Sequence, residues 1–286
     1  MLNTTLLQGD TVALIGSSDP LKISDASVID SLLEILTSWN LKVKVSPLLF
    51  DNDLGNFIQK AAVINHYFAD KKIKAIFDVS GGNMSNSLIP YLDYNLIEKN
   101  PKLFFGYSDL TAILNAIGTH SKLPVVLFQL KTIVWDKSGE QKRLLYNSLF
   151  KEMKELYHFN YSFVKGNEMV GPVIGGNIRC FLKLAGTAYF PDLNNKILFL
   201  ESYSGERELL FSSFHQLSQL PAFSGLAGVI LGTFTKYEQT KPARNAATLF
   251  LDSLPQYKAP LVKTNQIGHS QTSKALFLGV PLDLRR

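Results

Sequence analysis

Four apolar runs, each followed by a segment of helical period, constrain the fold of this chain more than any other feature. They are Val12–Ile15, Ala75-Ile-Phe-Asp-Val79, Leu103–Phe105 and Val125–Phe128. A strand that reads apolar along its whole length must be covered on both faces. Such strands belong to a mainly parallel sheet with helices above and below. The segments between them supply the helices: Val28, Leu32, Ile35 and Leu36 repeat at helical spacing behind Asp25, and a second helix is expected from about Asn52 to Ala69. The spacing predicts an α/β fold whose N-terminal part is a mainly parallel, Rossmann-like or flavodoxin-like sheet.

The rhythm changes near Phe159. Short strands over Tyr161–Val164 and Val170–Ile174 precede Gly175-Gly176-Asn177, where Asn177 caps a helix. Lys196–Leu200 is an apolar strand that ends on Glu201, and strands are also expected over Leu226–Gly232, Pro260–Lys263 and Ala275–Val280. At 286 residues the chain is long for one compact core. The expected organisation is an N-terminal α/β domain over 1–155, a linker over 156–169 and a C-terminal α/β domain with a mixed sheet over 170–286.

Composition excludes several function classes. The chain is 46% hydrophobic and 19% charged, and its net charge of +5 is scattered among acids, which argues against a nucleic-acid stripe. The one cysteine, Cys180, forbids an internal disulfide and lies in an apolar run, where it reads as a buried small hydrophobe. No H-x-x-x-H, Cys pair or carboxylate cluster suggests a metal, and no G-x-G-x-x-G follows the first strand, so no cofactor is expected. Residues 1–5 lack the pattern of a signal peptide and no apolar run matches a bilayer's thickness, so a cytoplasmic protein without a membrane partner is expected.

The chemistry centres on Lys102–Gly118. A buried strand ends at Gly106, the chain turns at Tyr107-Ser108-Asp109, and Leu110, Ile113, Leu114 and Ile117 mark a helix face. A serine at such a turn is lifted out of the sheet in front of a helix N-terminus, as in a nucleophile elbow. Two observations support a plainer reading: Ser and Asp also start ordinary helices, and Leu110 occupies the place of the second Gly in G-x-S-x-G.

A serine hydroxyl needs a base and an acceptor that orients the base. Of the five histidines, His269 follows Gly268 at a strand end and precedes a polar loop, whereas His66, His120, His158 and His215 read as surface or packing residues. Glu201 closes an apolar strand, where a carboxylate is desolvated unless it has a partner. Gly81-Gly82 could offer backbone N–H groups to an oxyanion or form a tight turn.

These motifs, in order along nearly the whole chain, resemble the LD-carboxypeptidases and their microcin C immunity relatives, a family of serine peptidases. The resemblance runs through Val12–Ser18, Gly81–Asp93, Gly106-Tyr-Ser-Asp-Leu-Thr111, Ile174–Asn177, Ile197–Glu201, Val229–Gly232, Gly268-His269 and Leu278–Val280. It implies Ser108 as nucleophile, His269 as general base and then acid, and Glu201 as the orienting carboxylate. It also implies oxyanion donors at the backbone of Gly82 and Asp109, with Asn83 as a substrate-contacting candidate. The implied substrate is a murein peptide that loses a terminal D-amino acid, or in the immunity branch a peptidyl or aminoacyl nucleotide. A non-catalytic protein binding a peptide or nucleotide is the reading from another class. Family members are commonly homodimers. The chain departs from the family pattern at Gly16, usually Pro, and lacks the usual Gly-Pro after the Phe128 strand. Trp135 is the nearest candidate for the immunity branch's nucleobase-packing Trp, with plain packing as its other reading.

Overall fold

The computed structural model describes residues 5–239 and 245–286. Its strands are β1 (Thr11–Ile15), β2 (Lys42–Val45), β3 (Ile73–Asp78), β4 (Leu103–Gly106), β5 (Val125–Leu127), β6 (Ser162–Lys165), β7 (Glu168–Asn177), β8 (Ile197–Ser202), β9 (Gly228–Phe234), β10 (Leu261–Lys263), β11 (Leu276–Leu278) and β12 (Pro281–Arg285). They form two six-stranded sheets, giving two α/β domains.

The first sheet runs β11-β5-β4-β3-β1-β2. Strands β1 to β5 are parallel, and β11 joins antiparallel at the β5 edge. The order 2-1-3-4-5 is the flavodoxin-like winding. The apolar runs are continuous because neighbouring residues serve opposite cores. Leu14, Phe77 and Phe105 face the helix Ala26–Ser38, while Ile15, Ile76 and Phe104 face the helices Phe57–Ala69 and Thr111–His120. Each such side chain, taken fully out of water, contributes about 1.5–3 kcal/mol.

The second sheet runs β12-β7-β8-β9-β10-β6, with β7 to β10 parallel and both edges antiparallel. One face is closed by Phe214, Phe234 and Phe250. The other contributes Val173, Ile197, Phe199, Ile230 and Val262 to the core that also holds Phe104, Ile113 and Leu114 of the first sheet's side. The helix Thr111–His120 is thus buried between the two sheets.

Residues 156–169, expected to link the domains, contain β6, which pairs with β10 at the edge of the second sheet. The helix Glu140–Phe150 closes at Lys151, and Glu152 beyond it takes a left-handed φ of 55°. In addition, β11 carries the chain back to the first sheet immediately after the His269 loop.

Candidate active site

Ser108 sits at the carboxyl end of β4 with φ +57°, a left-handed conformation that a non-glycine residue adopts only under constraint. Tyr107, the residue before this turn, makes no side-chain cap to it. Ser108 opens the 3₁₀ turn Ser108–Leu110 that leads into the helix Thr111–His120, so the helix-start reading describes its backbone position. The turn is tight enough that a Cβ at Gly106 would lie 2.9 Å from Leu110 Cβ. Leu110 itself is fully buried, so the second Gly of the usual elbow is replaced by a core side chain.

Glu201 ends the apolar part of β8 and is fully buried. His269 comes from the loop between β10 and β11, beneath which Gly268 is packed so closely that a Cβ would fall 1.6 Å from Thr233 Oγ1. Two strand ends and one loop thereby meet, and His269, expected at a strand end, lies six residues beyond β10. His269 Nε2 lies 3.1 Å from Ser108 Oγ, and its Nδ1 lies 2.7 Å from Glu201 Oε2. Because a carboxylate only accepts, Nδ1 carries the proton toward Glu201 and Nε2 is left to accept from Ser108. The second carboxylate oxygen, Oε1, accepts from Asn177 Nδ2 at 3.0 Å. The rings of Tyr107 and Tyr203 stand 5.0 and 5.1 Å from the imidazole and fix its plane. Burial and then the charge of Glu201 push the Tyr107 phenol well above its ordinary pKa.

The glycine loop lies opposite. Gly82 has φ +125°, and a Cβ there would meet Asp19 Cγ at 2.1 Å, so the position requires glycine. Among the described residues its N–H has no protein acceptor. Asn83 donates its N–H to Asp19 Oδ1 at 2.8 Å and accepts at Oδ1 from Arg179 Nη1 at 2.9 Å. Arg179 Nη2 also donates to Gly82 O at 2.9 Å, and Lys183 Nζ to Asn83 O at 2.6 Å. A loop of the first domain is thus gripped by two cations of the second.

Asp109, expected for its backbone N–H, also has a structural role through its side chain. The carboxylate is fully buried and accepts from Ser18 Oγ at 2.6 Å, Ser85 N–H at 2.8 Å and Lys183 Nζ at 2.5 Å. Burial alone would raise its pKa, but the bonds from Lys183, Ser18 and Ser85 outweigh it and the net displacement is downward. Behind it, Asp78 accepts from Ser80 N–H and Oγ and from Ser17 N–H and Oγ. The β1/β3 crevice, where flavodoxin-like folds usually bind ligands, is filled here by the chain's own polar side chains.

Two cavities meet at Ser108 and His269. The larger, about 370 Å³, is bounded by Gly82, Asn83, Asn177, Arg179 and Ser202–Ser204. The smaller, about 160 Å³, is bounded by Gly81, Tyr107, Gln129, Lys131, Trp135 and Ser270. Among the described residues no three His, Cys, Asp or Glu side chains are grouped to hold a metal. Sequence reasoning missed Arg179, Lys183 and Lys131, whose positions read as solvated basic residues. It also missed Asn115, which an isolated amide on an apolar helix face could have revealed.

The chain is similar to known proteins over most of its length. Residues 12–128 match the LD-carboxypeptidase N-terminal domain and residues 170–284 the LD-carboxypeptidase C-terminal domain of peptidase family S66. A putative carboxypeptidase of Treponema pallidum is 30% identical over 274 residues, covering 82% of this chain and 78% of that protein. The microcin C7 self-immunity protein MccF of Escherichia coli is 26% identical over 99% of this chain and 92% of its own length. A probable murein peptide carboxypeptidase of Bacillus subtilis is 25% identical over 96% of this chain and 88% of its own. The structure of MccF in complex with aspartyl sulfamoyl adenosine shares the fold, with a TM-score of 0.88 at 23% identity, over 100% of this chain and 96% of that one. The chain belongs to the S66 LD-carboxypeptidase family of serine peptidases.

Proposed function

We propose that this protein is an LD-carboxypeptidase that releases a terminal D-amino acid from murein peptides through an acyl-enzyme on Ser108. The observation that carries the reading is the hydrogen-bonded series Ser108 Oγ, His269 Nε2, His269 Nδ1, Glu201 Oε2, at 3.1 and 2.7 Å. His269 takes the Ser108 proton as Oγ attacks the scissile carbonyl. Glu201, buried and held by Asn177, keeps the imidazole in the accepting tautomer and stabilises the imidazolium that forms. The oxyanion of the tetrahedral intermediate is received by the backbone N–H groups of Gly82 and Asp109, with Asn83 beside the acyl group. His269 then gives its proton to the leaving amine. In the second half it activates a water that hydrolyses the ester.

A second reading is hydrolysis of a peptidyl or aminoacyl nucleotide. Its support is the similarity to MccF over 99% of the chain and the aspartyl sulfamoyl adenosine bound by that fold. A purely binding role is disfavoured by the intact Ser108–His269–Glu201 series. We also propose that the domains divide within 156–169 and that the protein is a cytoplasmic homodimer, the latter checked by light scattering. The deciding experiment offers purified protein a murein tetrapeptide and aspartyl sulfamoyl adenosine in parallel, with released products read by mass spectrometry. D-amino acid release that disappears in a folded Ser108→Ala variant is expected. Full activity in that variant would sink the reading.

A further inference from the structure

Ser108 and His269 line both cavities, so a scissile bond seated between them has one side in each. Gly82 and Asn83 open onto the larger cavity, whereas the smaller holds Gly268 and Ser270, the residues flanking the proton donor for the leaving amine. The smaller cavity, about 160 Å³, has room for about five waters at roughly 30 Å³ each. That suits one small amino acid of about six heavy atoms better than a nucleoside of about twenty.

Its chemistry is unusual for a space this small. Lys131 Nζ lies over the ring of Trp135, 5.4 Å from the centroid. Among the described residues it makes no hydrogen bond and has no carboxylate within ion-pair distance. Burial lowers its pKa, opposed at longer range by Asp25 and Asp78. A desolvated ammonium without a counter-ion is costly, and an arriving carboxylate removes that cost. The backbone that carries it is fixed: Lys131 N–H donates to Gln129 Oε1 at 3.3 Å and Thr132 Oγ1 to Gln129 O at 2.8 Å. The cation of the other cavity, Arg179, is already engaged by Asn83 and Gly82.

We propose that the smaller cavity is the leaving-residue subsite and that Lys131 binds the free α-carboxylate of the terminal amino acid. This rests on Ser108 being the nucleophile. It explains how the site would cleave one residue from a chain end: the cation accepts a terminal carboxylate and an internal amide offers it nothing.

Titration of the Ser108→Ala protein with D-alanine, D-alaninamide and AMP, followed by ligand NMR line broadening, tests the assignment without requiring turnover. D-Alanine is expected to bind at least ten-fold tighter than its amide. Lys131→Met should abolish that difference and Lys131→Arg retain most of it. Gln129→Glu, which places a competing carboxylate beside the ammonium, should weaken D-alanine binding if Lys131→Met does not fold. Equal binding of acid and amide, an acid preference that survives Lys131→Met, or AMP as the one ligand dependent on Lys131 would each overturn it. Hydrolysis persisting in Ser108→Ala would instead remove the nucleophile reading and leave this binding readout standing.

Discussion

Asn115 and Gly175 exchange two hydrogen bonds across the seam between the sheets: Asn115 Nδ2 donates to Gly175 O at 2.8 Å, and Gly175 N–H to Asn115 Oδ1 at 2.9 Å. One residue pair further, Asn177 N–H donates to Thr111 Oγ1 at 2.9 Å, and a Cβ on Gly176 would lie 2.4 Å from that oxygen. The helix that begins behind Ser108 is therefore locked to the strand whose last residue holds Glu201. The Ser108–Glu201 geometry depends on this seam.

Asn115→Leu tests that dependence. The substitution leaves the Gly175 N–H and C=O buried without partners, at about 1–3 kcal/mol for each group. The melting temperature should fall by several degrees, and kcat should fall while KM changes little. A variant with wild-type Tm and kcat would show that the seam does not set the site.

The sequence carries the fold and the three central residues for a common reason. A continuous apolar strand ending in one polar residue is readable without knowing its partners, and Glu201 stands out at such an end, whereas His269 is marked by Gly268 and the polar loop after it. Contacts that cross the seam carry no such mark. Arg179 and Lys183 have the residue types of a solvated helix face, and only the assembled structure brings them onto Gly82 and Asn83. Leu276–Leu278 reads as a strand, but nothing local says that it joins the first sheet. Asp109 shows the limit most clearly. A first-turn acid is ordinary in sequence, while its partners Ser18, Ser85 and Lys183 lie 91, 24 and 74 residues away.

Ser108 stores backbone strain that glycine would release. At φ +57° a side-chain-bearing residue costs about 1–2 kcal/mol relative to glycine. Ser108→Gly and Ser108→Ala should both lose hydrolysis, and the glycine variant should melt higher than the alanine variant. Identical melting points would mean that the turn is not strained in solution.

Gly82→Ala separates oxyanion binding from substrate binding. The new Cβ cannot share space with Asp19, and φ +125° disfavours alanine, so the loop must shift and carry the proposed donor N–H with it. Loss of one oxyanion donor typically lowers kcat by about 10²–10³. Such a loss is expected here with KM within a few-fold of wild type. Unchanged kcat would remove Gly82 from that role.

Asp109 links the site to acid stability. Its bonds to Lys183, Ser18 and Ser85 outweigh the opposing effect of burial, so its pKa is lower folded than unfolded. The folded state then binds fewer protons than the unfolded one across that interval, and stability rises with pH there. The contribution is complete above the unfolded carboxyl value of about 3.9 and disappears as pH falls through the folded value. Asp109→Asn removes this term and leaves Lys183 without its counter-charge. Breaking a buried pair costs roughly 3–5 kcal/mol, and the lower end applies because Lys183 remains 18% exposed. Urea unfolding of both proteins at pH 7, 5 and 3 should give a difference that is largest at pH 7 and shrinks toward pH 3. A difference that does not change with pH would mean that Asp109 is not held ionised by Lys183. Lys183→Met in the Asp109→Asn background should then recover part of the lost stability, since it removes the stranded ammonium.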